Sequence, residues 1–262
     1  MVDFAGGFTD KAFSFLGTLD RLFPYPAALG HNGAKKMNLL KAATAALLMS
    51  ISATVFAQAA KTPEPSPAQI AQWRVAAEEG DAPAQWALGF SYAEGRGVSE
   101  DNAVAAKWFT KAAEQGYERA QYYLGLMYDN GEGVPEDDGT AIKWYTRAAE
   151  QGDVNAQFLL AYKYEKGTGV AQDNVAAVKW YTKAAEQGDA AAQSGLGDLY
   201  ADGKGVPEDD ALAYMWWNLA AAQGNEKARQ GKDSVQERMT PAEIAEGQRL
   251  SRECLAQEYK GC

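Results

Sequence analysis

The residues that could do chemistry in this 262-residue chain are few and badly placed for it. Cys254 and Cys262 are the only cysteines, and His31 is the only histidine. An even pair of thiols eight residues apart can close a disulfide in an exported protein, and the other states open to it are two free thiols or an intermolecular link. The pair lacks metal-ligand spacing and has no histidine beside it, so no metal site is expected. No Ser-x-x-Lys stretch offers a serine nucleophile with a lysine base. The acidic loops Glu136-Asp137-Asp138 and Glu208-Asp209-Asp210 lack the alternating oxygen ligands of a calcium loop, and one aspartate in each is placed to cap a helix. Glycine pairs such as Gly131-x-Gly133 follow no strand and lead into no Gly-Lys-Ser/Thr, so they read as helix punctuation rather than a phosphate cradle. A carboxylate-only site of the glycosidase kind is the one catalytic arrangement left open, and it is the least favoured reading. No cofactor is implied.

The elements around these residues repeat. Gly116, Gly152, Gly188 and Gly224 stand 36 residues apart, as do Trp108, Trp144, Trp180 and Trp216, Tyr92, Tyr128, Tyr164 and Tyr200, and Gln85, Gln121, Gln157 and Gln193. A fixed period in this range marks a solenoid, in which each unit buries its apolar face against its neighbours. Within the unit from Asp81 to Gly116, Ala84, Leu88 and Tyr92 fall on one face of a first helix. Gly95-Arg96-Gly97 breaks that helix, Asp101 caps a second, and Ala105, Trp108, Ala112 and Ala113 are expected to form the buried stripe of the second. The fold expected is therefore all-α, an α/α superhelical solenoid of antiparallel helix pairs.

The pattern Ala120-x-x-x-Leu124-Gly125-x-x-Tyr128-x-x-Gly131-x-Gly133-Val134-x-x-Asp137-x-x-x-Ala141-x-x-Trp144-x-x-x-Ala148-Ala149-x-x-Gly152 recurs four times and resembles the Sel-one-like repeat, a relative of the tetratricopeptide repeat. That resemblance implies a right-handed superhelix whose first helices line a concave face. It also implies a role in binding protein rather than in catalysis. Some exported relatives staple each unit with two cysteines; no unit here contains one, so neither that subclass nor its claimed penicillin-binding activity is implied.

The chain divides on this reading into residues 1–36, an over-long upstream extension; 37–59, a signal peptide; 60–67, a Pro-rich linker; 68–83, an N-terminal half-repeat cap; 84–227, four repeats; and 228–262, C-terminal capping helices. Lys35, Lys36 and Lys41 precede an uncharged apolar run that starts at Ala42, and Val55-Phe56-Ala57 or Ala57-Gln58-Ala59 supplies the small residues of a cleavage site. Met37 is the expected true start. Polar interruptions at Thr44, Ser50, Ser52, Thr54 and Gln58 weigh against a membrane span, which needs roughly 20 apolar residues. The expected location is periplasmic or secreted, with no stable membrane insertion after cleavage; an inner-membrane signal anchor is the alternative. Ala161 replaces the glycine found at Gly89, Gly125 and Gly197, and is expected to widen one helix contact. Met215 and Leu219 replace basic residues in the last unit, so its second helix needs a cover. A closing helix from Pro241 to about Tyr259, with Ile244, Leu250 and Leu255 inward, would supply it.

Loss of residues 1–59 leaves 20 basic and 32 acidic residues, a net charge near −12. A surface so acidic repels nucleic acid and anionic lipid, so neither is expected as a partner. What remains is recognition of protein. Positions constant between units serve packing, and positions that vary are free to meet a partner. Trp86, Phe90, Tyr122, Tyr123, Phe158 and Tyr162 vary in this way on the first helices, and are the candidates to line a groove for an extended peptide or protein segment. Inter-repeat packing is the competing role for each. The function expected is a periplasmic protein-interaction scaffold, with an envelope- or peptidoglycan-associated assembly protein as the alternative.

Overall fold

A computed structural model describes residues 64–262, and Pro65–Cys262 form one compact unit. The expectations for residues 1–36, for the signal peptide at 37–59 and for the start of the linker lie outside the described residues. Every described element is a helix: α1 (Pro67–Glu78), α2 (Ala82–Glu94), α3 (Asn102–Glu114), α4 (Glu118–Asn130), α5 (Asp138–Gln151), α6 (Val154–Lys166), α7 (Asn174–Ala185), α8 (Ala190–Asp202), α9 (Asp210–Ala222), α10 (Glu226–Gln236) and α11 (Pro241–Ala256). From α2 to α10 each helix packs on the one before it, and α9 also carries α11. Unit after unit, the chain is an α/α solenoid.

Local chemistry sets the helix ends. Asp101, Asp137, Asp173 and Asp209 each cap a second helix, and each accepts from a backbone N–H three residues on at 2.9 Å. A carboxylate there satisfies a donor that the helix cannot pair and meets the positive end of its dipole. The first helices α2, α4, α6 and α8 stop at Gly95, Gly131, Gly167 and Gly203, all in the left-handed conformation. The next glycine has a different task. A Cβ on Gly133 would lie 2.1 Å from the carbonyl oxygen of Asn102, so hydrogen alone lets the turn press on the start of the preceding second helix.

Small residues and one ring fill each layer. Ala105, Ala112 and Ala113 are sealed from solvent, and so is Phe109, whose ring lies against Gly89. Tyr145 repeats the arrangement against Gly125, and Trp217 against Gly197. The full plug is therefore the residue after the periodic tryptophan, not Trp108 itself. Trp108 is half-buried against the cluster of Ile70, Ala77, Ala84 and Leu88, and the Lys111 ammonium stands 4.3 Å above its ring. A flat ring opposite a glycine fills the helix crossing, and Trp108 is left to seal the seam between successive second helices.

The cover at the C-terminal end differs from the sequence reading in its register. Met215 and Leu219 are both 1% exposed, while α10 and α11 pack on α9. The inward residues of α11 are Gly247, Ser251 and Cys254; Ile244 and Leu250 are half-buried, and Leu255 is 48% exposed. Gly247 makes the closest approach, since a Cβ there would fall 2.7 Å from the Tyr214 ring. Pivoting on that glycine turns Leu255 outward. The helix ends at Ala256, before Tyr259, because Glu258 and Tyr259 take φ of 52° and 67°.

Candidate functional site

Four of the six candidate aromatics meet. The Trp86 and Phe90 rings, one turn apart on α2, stack at 5.6 Å; Tyr123 of α4 stands 6.4 Å from Trp86 and edge-on to Phe90 at 5.7 Å; Tyr122 contacts Tyr123 at 5.3 Å. Tyr123 also stacks on the buried Phe109 at 5.4 Å, and Tyr122 lies 6.3 Å from Tyr145. All four are half-buried: Trp86, Phe90 and Tyr123 rest on the core of α3 and α4, and Tyr122 rests on Tyr123 and Tyr145. Offset and edge-to-face contacts at these separations hold rings in fixed positions, which lowers the entropy lost when a partner docks on them.

The other two candidates lie elsewhere. Phe158 is 5% exposed and packs on Tyr181 at 5.8 Å, so it belongs to the core. Its register mates Trp86 and Tyr122 stay half-exposed. Tyr162 is half-buried on α6, with the Lys166 ammonium 5.7 Å above its ring.

Tyr117 joins the cluster and escaped the sequence reading. It stands 6.0 Å from Trp86 and begins α4 without a side-chain cap. Its register mates Asp81, Asp153, Asp189 and Asn225 all cap their helices, at 2.6–2.9 Å. Exchange of a capping aspartate for tyrosine costs about 1 kcal/mol. That single break in the Asp/Asn register was the available signal, and here it adds a ring to the surface.

Two guanidiniums border the rings. Arg119 lies 5.5 Å over Trp86, and Arg96 lies 6.0 Å over Phe90. The Trp86 indole N–H is shielded from solvent and meets no acceptor among the described residues. Burial raises the phenol of Tyr122 and pushes that of Tyr123 up to about 12, so both stay neutral at physiological pH. Beside them a depression of about 250 Å³ is lined by Gly116, Tyr117, Glu118, Arg119 and Gln151.

The described residues hold one buried ionic cluster. Lys163, only 4% exposed, pairs with Asp129 and with Asp138 at 3.1 Å, and the Tyr145 hydroxyl donates to Asp129 at 3.3 Å. Burial holds the Asp129 carboxyl above the usual range, against the pull of Lys163. With an ammonium between the two carboxylates, this is a cross-link between repeats and not the open acid pair of a glycosidase. Cys254 and Cys262 are joined by a disulfide with Cα atoms 5.4 Å apart. No trio of His, Cys, Asp or Glu among the described residues is grouped to hold a metal, and no described helix is long and apolar enough to cross a membrane.

Residues 82–117, 118–153, 154–189 and 190–225 each match the Sel1 repeat. Two solved structures are similar over this region. One is c5321, a protective antigen present in uropathogenic Escherichia coli strains that displays an SLR fold: 45% identity, 61% of this chain and 34% of that one, TM-score 0.59. The other is a Sel1 repeat protein from Oxalobacter formigenes: 39% identity, 66% of this chain and 50% of that one, TM-score 0.61. This chain thus spans about a third and a half of their lengths. No curated protein matches it.

Proposed function

This chain belongs to the Sel1 repeat family, and from that premise we propose that it is a non-catalytic scaffold or adaptor of the bacterial periplasm, holding a protein or peptide segment on the concave face. Proteins built of these repeats generally mediate protein–protein interactions. One observation carries the reading to a place on this molecule: Trp86, Phe90, Tyr117, Tyr122 and Tyr123 form a continuous half-exposed aromatic surface at positions the repeat pattern leaves variable. Aromatic side chains backed by a packed core and bordered by arginine are the residues that dominate interfaces. Constant positions of the repeat, by contrast, are consumed by caps, close approaches and the buried plug.

The test is recovery of partners by crosslinking from the native host, comparing the natural chain with the Trp86→Ala/Tyr122→Ala variant. The reading expects one set of partners to disappear while the melting temperature stays above growth temperature. Unchanged recovery would remove the aromatic surface from the function. Intact mass of the native protein tests export in the same preparation: an N-terminus close to Ala60 supports it, and retention of the apolar run refutes it.

A further inference from the structure

The chain carries its own docked peptide. After α11 the last residues turn back as a loop closed by the Cys254–Cys262 disulfide. Glu258 and Tyr259 sit at positive φ, a conformation that costs a non-glycine residue roughly 1–2 kcal/mol and so needs contacts to hold it. Two contacts do. The Tyr259 ring covers Gly188 so closely that a Cβ there would lie 3.3 Å from it. The Gly261 N–H donates to the Glu186 carboxylate at 3.1 Å, 75 residues away in sequence. The footprint is thus a left-handed glycine that ends a second helix, with a glutamate two residues before it.

That footprint recurs with the repeat. Gly116 is the register mate of Gly188, also left-handed at φ +87°, and nothing lies within 4 Å of its Cβ position. Glu114 is the mate of Glu186 and is exposed. The depression lined by Gly116, Tyr117, Glu118, Arg119 and Gln151 opens beside it. Gly224 is equally open, but Ala222 stands where the glutamate would be. Gly80 with Glu78 and Gly152 with Glu150 are likewise left-handed and open, so the footprint is occupied at Gly188, vacant at Gly80, Gly116 and Gly152, and without its acceptor at Gly224; the depression beside Gly116 sets that copy apart.

We propose that the Gly116 end of α3, which adjoins the aromatic face at Tyr117 and Arg119, is a further docking surface, and that it takes a turn of another protein shaped like the chain's own tail. Such a turn presents a tyrosine or phenylalanine ring two residues ahead of a backbone N–H that has no internal acceptor. The ring covers Gly116 and enters the depression toward Gln151. The N–H bonds to Glu114.

The probe is the disulfide-closed nonapeptide Cys-Leu-Ala-Gln-Glu-Tyr-Lys-Gly-Cys, the sequence of residues 254–262, titrated into the full-length ¹⁵N-labelled chain. Saturable shifts of the Glu114, Gly116 and Arg119 amides are expected, with the Gly80, Gly152 and Gly224 amides still. A peptide with alanine for tyrosine should bind at least about tenfold more weakly, since the ring supplies most of the apolar area. Glu114→Ala, at an exposed position, should weaken binding while leaving the melting curve alone. The proposal is overturned by an absence of saturable shifts, by equal shifts at Gly80, Gly152 or Gly224, or by indifference to loss of the tyrosine. Shifts confined to Gly188 and α11 also overturn it, because they would report only exchange with the chain's own tail.

Discussion

The Gln115 amide donates to the side-chain oxygen of Gln85, thirty residues earlier, at 2.7 Å. The bond recurs as Gln151 to Gln121, Gln187 to Gln157 and Gln223 to Gln193, at 2.7–2.9 Å. Each buried glutamine also donates to a carbonyl eight residues before it, on Ala77, Ala113, Ala149 or Ala185. One amide thereby ties the end of a second helix, the first helix after it and the end of the next second helix. The ladder explains why glutamine keeps the period: a buried position needs both a donor and an acceptor there, and glutamine supplies both from one planar group.

Gln121→Leu keeps the volume and removes the rung. It leaves the Ala113 carbonyl without its side-chain donor and the Gln151 amide without its acceptor, a loss of about 1–3 kcal/mol in urea unfolding. Gln223→Ala removes an exposed end of the ladder and should cost less than half as much. Equal losses at the two positions would mean that burial does not set the strength of the rung.

Lys163→Met leaves Asp129 in a buried place with its nearest cation gone, and should destabilise the protein by about 3–5 kcal/mol at neutral pH. Burial already raises the Asp129 carboxyl, and removal of the ammonium raises it further. The sign follows from linkage: an acid whose folded pKa lies above its unfolded value contributes stability that is present below the unfolded value, about 3.9, and lost as pH rises through the folded one. The deficit of Lys163→Met should therefore shrink as pH falls. Asp129→Asn in the same chain should restore much of the loss. Urea melts of the single and double variants across pH 4–7 check both points.

The solenoid was legible because its period is enforced by backbone requirements that few residues meet: glycine where φ is positive, aspartate where a helix begins. What the period did not reveal is how side chains turn within a helix. Trp108 and Phe109 are adjacent and both aromatic, and only the glycine on the facing helix decides which becomes the plug. Phe158 and Tyr122 occupy the same register, yet one is core and the other half-exposed, since burial there depends on neighbours from two other helices. Leu255 looked inward by hydrophobicity and points out because Gly247 sets the rotation of α11. Tyr117 was readable as a break in the capping register, a clue that lies in what differs between copies.

Alkaline titration gives a spectroscopic check on the packed rings. Burial pushes Tyr123 up to about 12 and raises Tyr122, Tyr145 and Tyr181 beyond the ordinary range. A phenol with a raised folded pKa contributes stability that is fully present below about pH 10, its unfolded value, and lost as pH climbs toward the folded one. Tyrosinate absorbance should rise in two stages: exposed phenols near pH 10, then a late, steep stage that coincides with loss of far-ultraviolet helical signal. A single smooth titration complete by pH 11, with helix intact, would contradict the burial of these rings.

The strictest test concerns Ala161, Gly195 and Tyr181. Elsewhere the plug faces a glycine: a Cβ would fall 2.7 Å from the ring at Gly89 and Gly125, and 2.5 Å at Gly197. On α6 the equivalent residue is Ala161, fully buried, and the Tyr181 ring lies against Gly195 of α8, where a Cβ would fall 2.9 Å away. Its hydroxyl is fixed by Glu165 at 2.9 Å. The methyl gained on one helix is matched by the side chain missing on the next. Gly195→Ala alone should cost about 1–3 kcal/mol through overpacking. Ala161→Gly alone should cost about 1 kcal/mol or somewhat more, from helix propensity and the lost methyl. Together they recreate the arrangement of the other repeats, and the ring can swing toward position 161. The double variant should then be more stable than the sum of the singles predicts by at least about 1 kcal/mol. Strict additivity would mean that the two positions do not share the ring, and that the spacing of α6, α7 and α8 is set by the backbone alone.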